Sequence, residues 1–193
     1  MVNGTVTVTV MNTVTQSGVW QRFIELVGAP YYHKEMLWIT FPLIISLFLM
    51  QLYFGRYKTE ELGWNTAVGN SLALVFVSVD LFRKIMSYTV GKPFIDAFFD
   101  NLGQWMVAFV IVVFSVWLLF GEFFHLLPKR LAFLISSSLP TTLIAYLGIV
   151  LIYTKVDLDY ATLIAGILLF VVLGIVFKII HMIEPVSVRK ESS

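Results

Sequence analysis

The chain contains no cysteine among its 193 residues. Disulfides, thiolate metal sites, iron–sulfur clusters and cysteine nucleophiles are therefore excluded. Charged residues are also scarce, at 13% of the chain, against roughly a quarter in an average soluble domain. The formal net charge is only +1, so no excess of basic residues indicates a nucleic-acid partner.

Hydrophobic residues are abundant, at 59% of the chain, and the mean hydropathy is +0.87. This composition predicts an all-α integral membrane protein whose main partner is the lipid bilayer. The apolar runs long enough to cross a bilayer lie at about residues 37–54, 64–82, 103–120, 131–153 and 160–180. We therefore predict one transmembrane helical domain over residues 17–182, a bundle of about five crossings.

The remaining segments are short. Residues 17–28 and 92–102 have one apolar and one polar face, which predicts two interfacial amphipathic helices. Residues 1–16 alternate Thr and Val, a pattern that favours an extended or flexible polar tail. The alternative is a strand that adds to the sheet edge of a partner. Residues 183–193 form a polar C-terminal tail.

The second crossing carries a polar stripe. Residues spaced three or four apart predict an inward face made of Thr66, Asn70, Ala73, Val77, Asp80 and Lys84. A carboxyl with a base three or four residues later is typical of a local ion pair, here with Arg83 or Lys84. The alternative is that Asp80 takes up and releases a proton or a cation in a transport pathway.

The fourth crossing is rich in hydroxyl groups and contains Pro140, which predicts a bend. If it faces the second crossing, Ser137 and Thr141 meet Thr66 and Asn70. That arrangement predicts a polar seam between two packed helices, with a permeation path as the alternative.

Two Glu–His pairs have the i, i+3 spacing of carboxylate-bridged metal sites. Glu122 and His125 follow the third crossing, and His181 and Glu184 follow the fifth. All four are expected at the same side of the membrane, so the hypothesis is a divalent metal held between them. The alternative is that they are ordinary interfacial residues at helix ends, with no cofactor.

No phosphate-binding loop, dinucleotide fingerprint, nucleophile elbow or zinc-protease motif occurs in the sequence. This absence favours a non-enzymatic structural or accessory subunit of a membrane assembly. The alternatives are a small oligomeric channel or transporter lined by the second and fourth crossings, and a membrane metalloenzyme with its site near Glu122 and His125. We expect a plasma or cytoplasmic membrane location, with the N-terminus outside and the C-terminus in the cytoplasm, and contacts with other membrane subunits or with further copies.

Overall fold

The computed structural model describes residues 3–57 and 63–183, with side chains from Gly18 onward. Every regular element in these ranges is helical. The helices are α1 (Asn3–Tyr32), α2 (Leu37–Arg56), α3 (Trp64–Ser87), α4 (Phe94–Asp100), α5 (Leu102–Phe123), α6 (Lys129–Ile135), α7 (Ser138–Thr154) and α8 (Tyr160–Ile183). A single 3₁₀ turn, Lys34–Met36, joins α1 to α2.

Helix length and composition confirm the coarse prediction of an apolar helical bundle. Within the described residues, four helices are long and apolar enough to cross a membrane, namely α2 with its preceding turn, α3, α5 and α8. A fifth candidate is the pair α6 and α7, which meet at an angle of 44°. The fourth predicted crossing, residues 131–153, is therefore a broken helix rather than a continuous one.

The N-terminal helix differs from the prediction for residues 1–16 and 17–28. The structure has one helix from Asn3 to Tyr32 where the sequence predicted an extended or flexible tail, since the β preference of Thr and Val is easily overridden by context. Pro30 does not end this helix. Its ring lacks the amide that would bind the Leu26 carbonyl, and the Tyr146 hydroxyl donates to that oxygen instead, at 2.6 Å. The predicted C-terminal tail lies outside the described residues from 184 onward.

Helix α3 lies at the centre of the bundle, where it packs against α5 and α7. Its buried face consists of Ala67, Ser71, Leu74, Val77, Ser78, Leu81 and Ile85. This face is rotated from the predicted stripe: Ala73 is exposed, and Asn70 and Asp80 are only half-buried. Packing of apolar and small side chains, rather than polarity, therefore sets the rotation of α3.

The two ends of the bundle are named from α3. End B is the end at which α3 begins and α5 ends, and end A is the end at which α3 ends and α5 begins. The contacts of Ser71 with Glu122 and of Phe82 with Trp105 show that these two helices are antiparallel. Helix α7 runs parallel to α3, because Asn70 contacts Ser136 near end B and Tyr88 contacts Ile152 near end A.

Asp159 caps α8 at end A. Its Oδ1 accepts a hydrogen bond from the Thr162 backbone N–H at 2.7 Å, and the Arg22 guanidinium lies 3.3 Å from Oδ2. The bonds from Thr162 first, and then the contact with Arg22, hold the pKa of Asp159 below its ordinary value of 3.8. The carboxylate is therefore the form that stabilises the start of α8.

Replacing Asp159 by Ala should lower the free energy of unfolding by about 1 kcal/mol at neutral pH, because α8 loses its cap. Since the folded pKa is depressed, this stabilisation is complete above 3.8 and is lost as the pH falls through the lower folded value. Unfolding curves in detergent should therefore converge for the wild type and the variant once the pH falls below the depressed folded pKa of Asp159. Asp157→Ala is the control, because the Asp157 side chain is largely exposed; an equal loss there would contradict the cap.

Candidate functional site

Glu122 lies in the last turn of α5. Among the described residues it is the one charged residue with none of its surface exposed. Its Oε2 accepts a hydrogen bond from the Ser71 hydroxyl of α3 at 2.7 Å. Its Oε1 accepts a hydrogen bond from the Ser136 hydroxyl, between α6 and α7. Three separate parts of the chain therefore converge on one carboxyl group.

The break between α6 and α7 explains why Ser136 is available. Pro140 has no amide proton, so a continuous helix would leave the Ser136 carbonyl without its partner four residues later. The Asn70 side-chain amide donates to this carbonyl at 2.7 Å. A proline and an asparagine on neighbouring helices thus stabilise the bend, and the bend places the Ser136 hydroxyl against Glu122.

A further hydroxyl lies close in sequence to the same bend. Ser138, the first residue of α7, is only 6% exposed, and its Oγ has no hydrogen-bond partner among the described residues. Ser138 shares a stripe of α7 with Ala145 and Ile149, which belong to the core that also contains α3 and α5 residues. Buried hydroxyls normally have a hydrogen-bond partner, so the Ser138 Oγ is an unsatisfied buried polar atom close to the residues that surround the Glu122 carboxyl.

The structure brings together only part of the predicted polar seam. Asn70 contacts the fourth crossing at Ser136, whereas Ser137 and Thr141 hydrogen-bond to carbonyls of their own segment, Leu134 and Ser137. Thr66 is half-buried one turn before Asn70. The two residues that bind Glu122, Ser71 and Ser136, are not among the site residues that sequence reasoning selected.

Asp80 lies apart from this group, near end A. Its Oδ1 accepts hydrogen bonds from Arg83 at 2.9 and 2.5 Å, so the local pair expected for Asp80 forms with Arg83. Its Oδ2 accepts the Tyr153 hydroxyl of α7 at 2.7 Å, a partner that the sequence did not indicate. Asp80 is about 13 Å along α3 from Ser71, at 1.5 Å per residue. The two carboxyl groups therefore belong to different sites.

End A is held by a second set of polar contacts. Lys84, which the polar stripe placed beside Asp80, instead forms an ion pair with Glu35 at 2.7 Å. Its ammonium also lies 4.8 Å from the centre of the Tyr153 ring. Lys155 donates to the Asn101 side-chain oxygen at 3.0 Å and lies 4.0 Å from the centre of the Tyr88 ring. These cations are fully engaged in joining the loops of end A.

Of the four residues proposed for a metal site, the three that the structure describes, Glu122, His125 and His181, have separate environments. The His125 ring packs edge-on to Trp64, with centroids 4.2 Å apart, while Glu122 points to the two serines. His181 Nε2 lies 2.8 Å from the Gln51 carbonyl oxygen. Glu184 lies outside the described residues. Across residues 3–57 and 63–183, no group of three or more potential ligands of the His, Cys, Asp or Glu type occurs.

The chemistry available at Glu122 is that of an enclosed carboxyl group with neutral partners. Within the described part of the chain, no Lys, Arg or His side chain forms an ion pair with it. A buried carboxylate without a cation is costly, so the groups that such a site readily accepts are a proton or a small cation. Comparisons of the chain with known protein families, with curated proteins and with solved structures find no match.

Proposed function

We propose that this chain is an integral membrane transport protein that moves a proton or a monovalent cation, with Glu122 as the group that binds it. The observation that carries the proposal is the complete burial of the Glu122 carboxyl between α3, α5 and the α6–α7 break, with serine hydroxyls as its partners. Ionisable groups inside a membrane are expensive, and they commonly mark the pathways of ions and protons.

The broken span supports the same proposal. Helices that cross a membrane seldom leave backbone groups unpaired, and interrupted helices are tolerated where they line a cavity or a binding site. Here the interruption lies at Ser136, whose hydroxyl binds Glu122 and whose carbonyl accepts Asn70. The path would be lined by α3, α5 and α7, which extends the predicted pairing of the second and fourth crossings by the third.

A role as an accessory subunit draws no support from the surface. Large apolar side chains are exposed along α2, α5 and α8, but a bilayer covers such a surface without any protein partner. Polar contacts between α3 and α7 could equally serve as adhesion between helices. A flux measurement distinguishes transport from adhesion, because adhesion requires the hydrogen bonds of Glu122 but not the uptake and release of a proton.

The test is flux in liposomes that contain the purified protein and a pH-sensitive dye. With an imposed membrane potential, we expect wild-type protein to conduct protons or, with Na⁺ or K⁺ gradients, one of these cations. Glu122→Gln keeps the shape and most hydrogen bonds of the side chain but cannot ionise, so flux should fall to the level of empty liposomes.

The matched control is Asp80→Asn. Asp80 is already satisfied by Arg83 and Tyr153, so its amide variant should retain flux provided that the protein remains monodisperse. Wild-type protein that conducts neither protons nor Na⁺ nor K⁺, or a Glu122→Gln variant with undiminished flux, would overturn the proposal.

A further inference from the structure

The three parts of the chain that surround Glu122 also place three rings at end B, where the ring from α3 contacts the other two. The Trp64 ring at the start of α3 packs edge-on against His125, with centroids 4.2 Å apart. It also packs against Phe133 of α6, with centroids 5.1 Å apart. We call Trp64, His125 and Phe133 the aromatic lid.

Each lid residue is close in sequence to a residue of the carboxyl site. Trp64 and Ser71 are seven residues apart on α3, which places them on the same face, two turns from each other. Phe133 precedes Ser136 by three residues and lies on the adjoining short helix. His125 follows Glu122 after α5 has ended, and its positive φ of 54° turns the chain back at this point. All three lid residues therefore lie on the end-B side of the carboxyl site.

Toward end A, several buried apolar side chains separate Glu122 from the solution. Between Ser71 and Asp80, the core face of α3 carries Leu74 and Val77, which are almost fully buried. Leu81 follows them, and the fully buried Ile149 of α7 belongs to the same apolar core. Toward end B, by contrast, the core face of α3 carries only the small Ala67 before Trp64, and of the lid rings His125 is exposed while Trp64 and Phe133 are half-buried. Water is therefore nearest to Glu122 at end B.

We propose that the aromatic lid is the gate through which the Glu122 site exchanges with the solution at end B. The identity of the ion that passes the gate rests on the proposed function, whereas the gate itself concerns only how the solution reaches the Glu122 site. Opening it requires the loss of two ring contacts made by Trp64, and contacts of this kind are weak enough to break in thermal motion.

The absence of cysteine gives a direct test of access. Ser71→Cys places a nearly isosteric thiol in the carboxyl site, and a water-soluble, positively charged methanethiosulfonate reagent reports its exposure in the detergent-solubilised protein. Labelling should be slow with the lid intact and should rise about tenfold when Trp64→Ala or Phe133→Ala is added, because ring contacts that hold the lid are lost.

The matched control is Phe98→Ala, which removes a ring from the comparable aromatic group that Phe98 forms with Phe94 and Trp105 at end A. This variant should leave the labelling rate unchanged. If Ser71→Cys does not give monodisperse protein, Ser136→Cys serves as the reporter. Equal labelling with and without the lid residues, or an equal rise for Phe98→Ala, would overturn the gate.

The flux assay keeps the two proposals distinguishable. Faster labelling in the lid variants, together with wild-type protein that conducts nothing, would retain the gate and remove the transport function. If flux depends on Glu122 but the labelling rate is the same with and without the lid residues, the transport function is retained and the access route lies elsewhere.

Discussion

The double variant Ser71→Ala, Ser136→Ala should lose about 2–6 kcal/mol of unfolding free energy, because each hydroxyl removed leaves a buried carboxyl oxygen without its donor. The Glu122 side chain has none of its surface exposed, so water cannot replace these donors while the fold is intact. Unfolding in mixed detergent micelles, followed by tryptophan fluorescence, measures the loss.

The bundle offers a matched pair of serines for comparison. Ser78 and Ser115 are also fully buried, but their hydroxyls donate to carbonyls of their own helices, Val75 at 2.7 Å and Val112 at 3.0 Å. Those carbonyls already take part in the helix, so Ser78→Ala, Ser115→Ala should change stability by less than about 1 kcal/mol.

A third variant isolates the carboxyl as the cause. Adding Glu122→Leu to the Ser71→Ala, Ser136→Ala pair should recover most of the loss, because an apolar side chain needs no donor and buried ionisable groups are often replaced without cost. A loss no larger than that of the control serines, or no recovery on adding Leu, would contradict the arrangement described for this site.

Gly148→Ala should destabilise the protein by about 1–3 kcal/mol through overpacking. A Cβ atom at Gly148 of α7 would lie 2.3 Å from Cδ1 of Ile111 on α5 and 3.2 Å from Cδ1 of Leu81 on α3. Leu81 is fully buried and Ile111 nearly so, so the Ile111 methyl must make room by turning within the core. The absence of a side chain at Gly148 is what allows α7 to approach α3 and α5 closely. The same micelle unfolding assay measures the effect.

Gly174→Ala is the control for this substitution, and its effect should have the opposite sign. A Cβ atom at Gly174 of α8 would meet nothing within 4 Å. The remaining effect is the preference of a helix for Ala over Gly, which gives a gain of up to about 1 kcal/mol. If Gly148→Ala were neutral or stabilising like Gly174→Ala, the close approach of α7 to its neighbours would be wrong.

The long apolar helices could be predicted from the sequence because long, nearly uncharged runs of residues are easily recognised in it. The helix ends differ by a few residues, as at Arg56 and Phe123, because apolar composition does not define where a helix frays. The helix through Pro30 could not be predicted, since the replacement partner for the Leu26 carbonyl is Tyr146, far away in sequence.

Only part of the candidate site could be predicted from the sequence. Glu122 was singled out for its spacing from His125, but that spacing assumes a continuous helix. Helix α5 ends at Phe123, and the left-handed conformation of His125 turns its ring toward Trp64 instead. Ser71 carries a weak signal, because it repeats at Ser78 on the same face of α3. Its pairing with Glu122 depends on the rotation of two helices, which periodicity alone does not fix.

The break between α6 and α7 also has an electrostatic consequence. Because α7 begins at Ser138, two residues after the serine that binds Glu122, a helix N-terminus with roughly half a positive elementary charge lies within the bundle close to this carboxyl. A continuous helix from Lys129 would place that positive pole about 13 Å away, at end B. Negative charge on Glu122 therefore favours the bent span, and neutralising the carboxyl removes one of the forces that keep it bent.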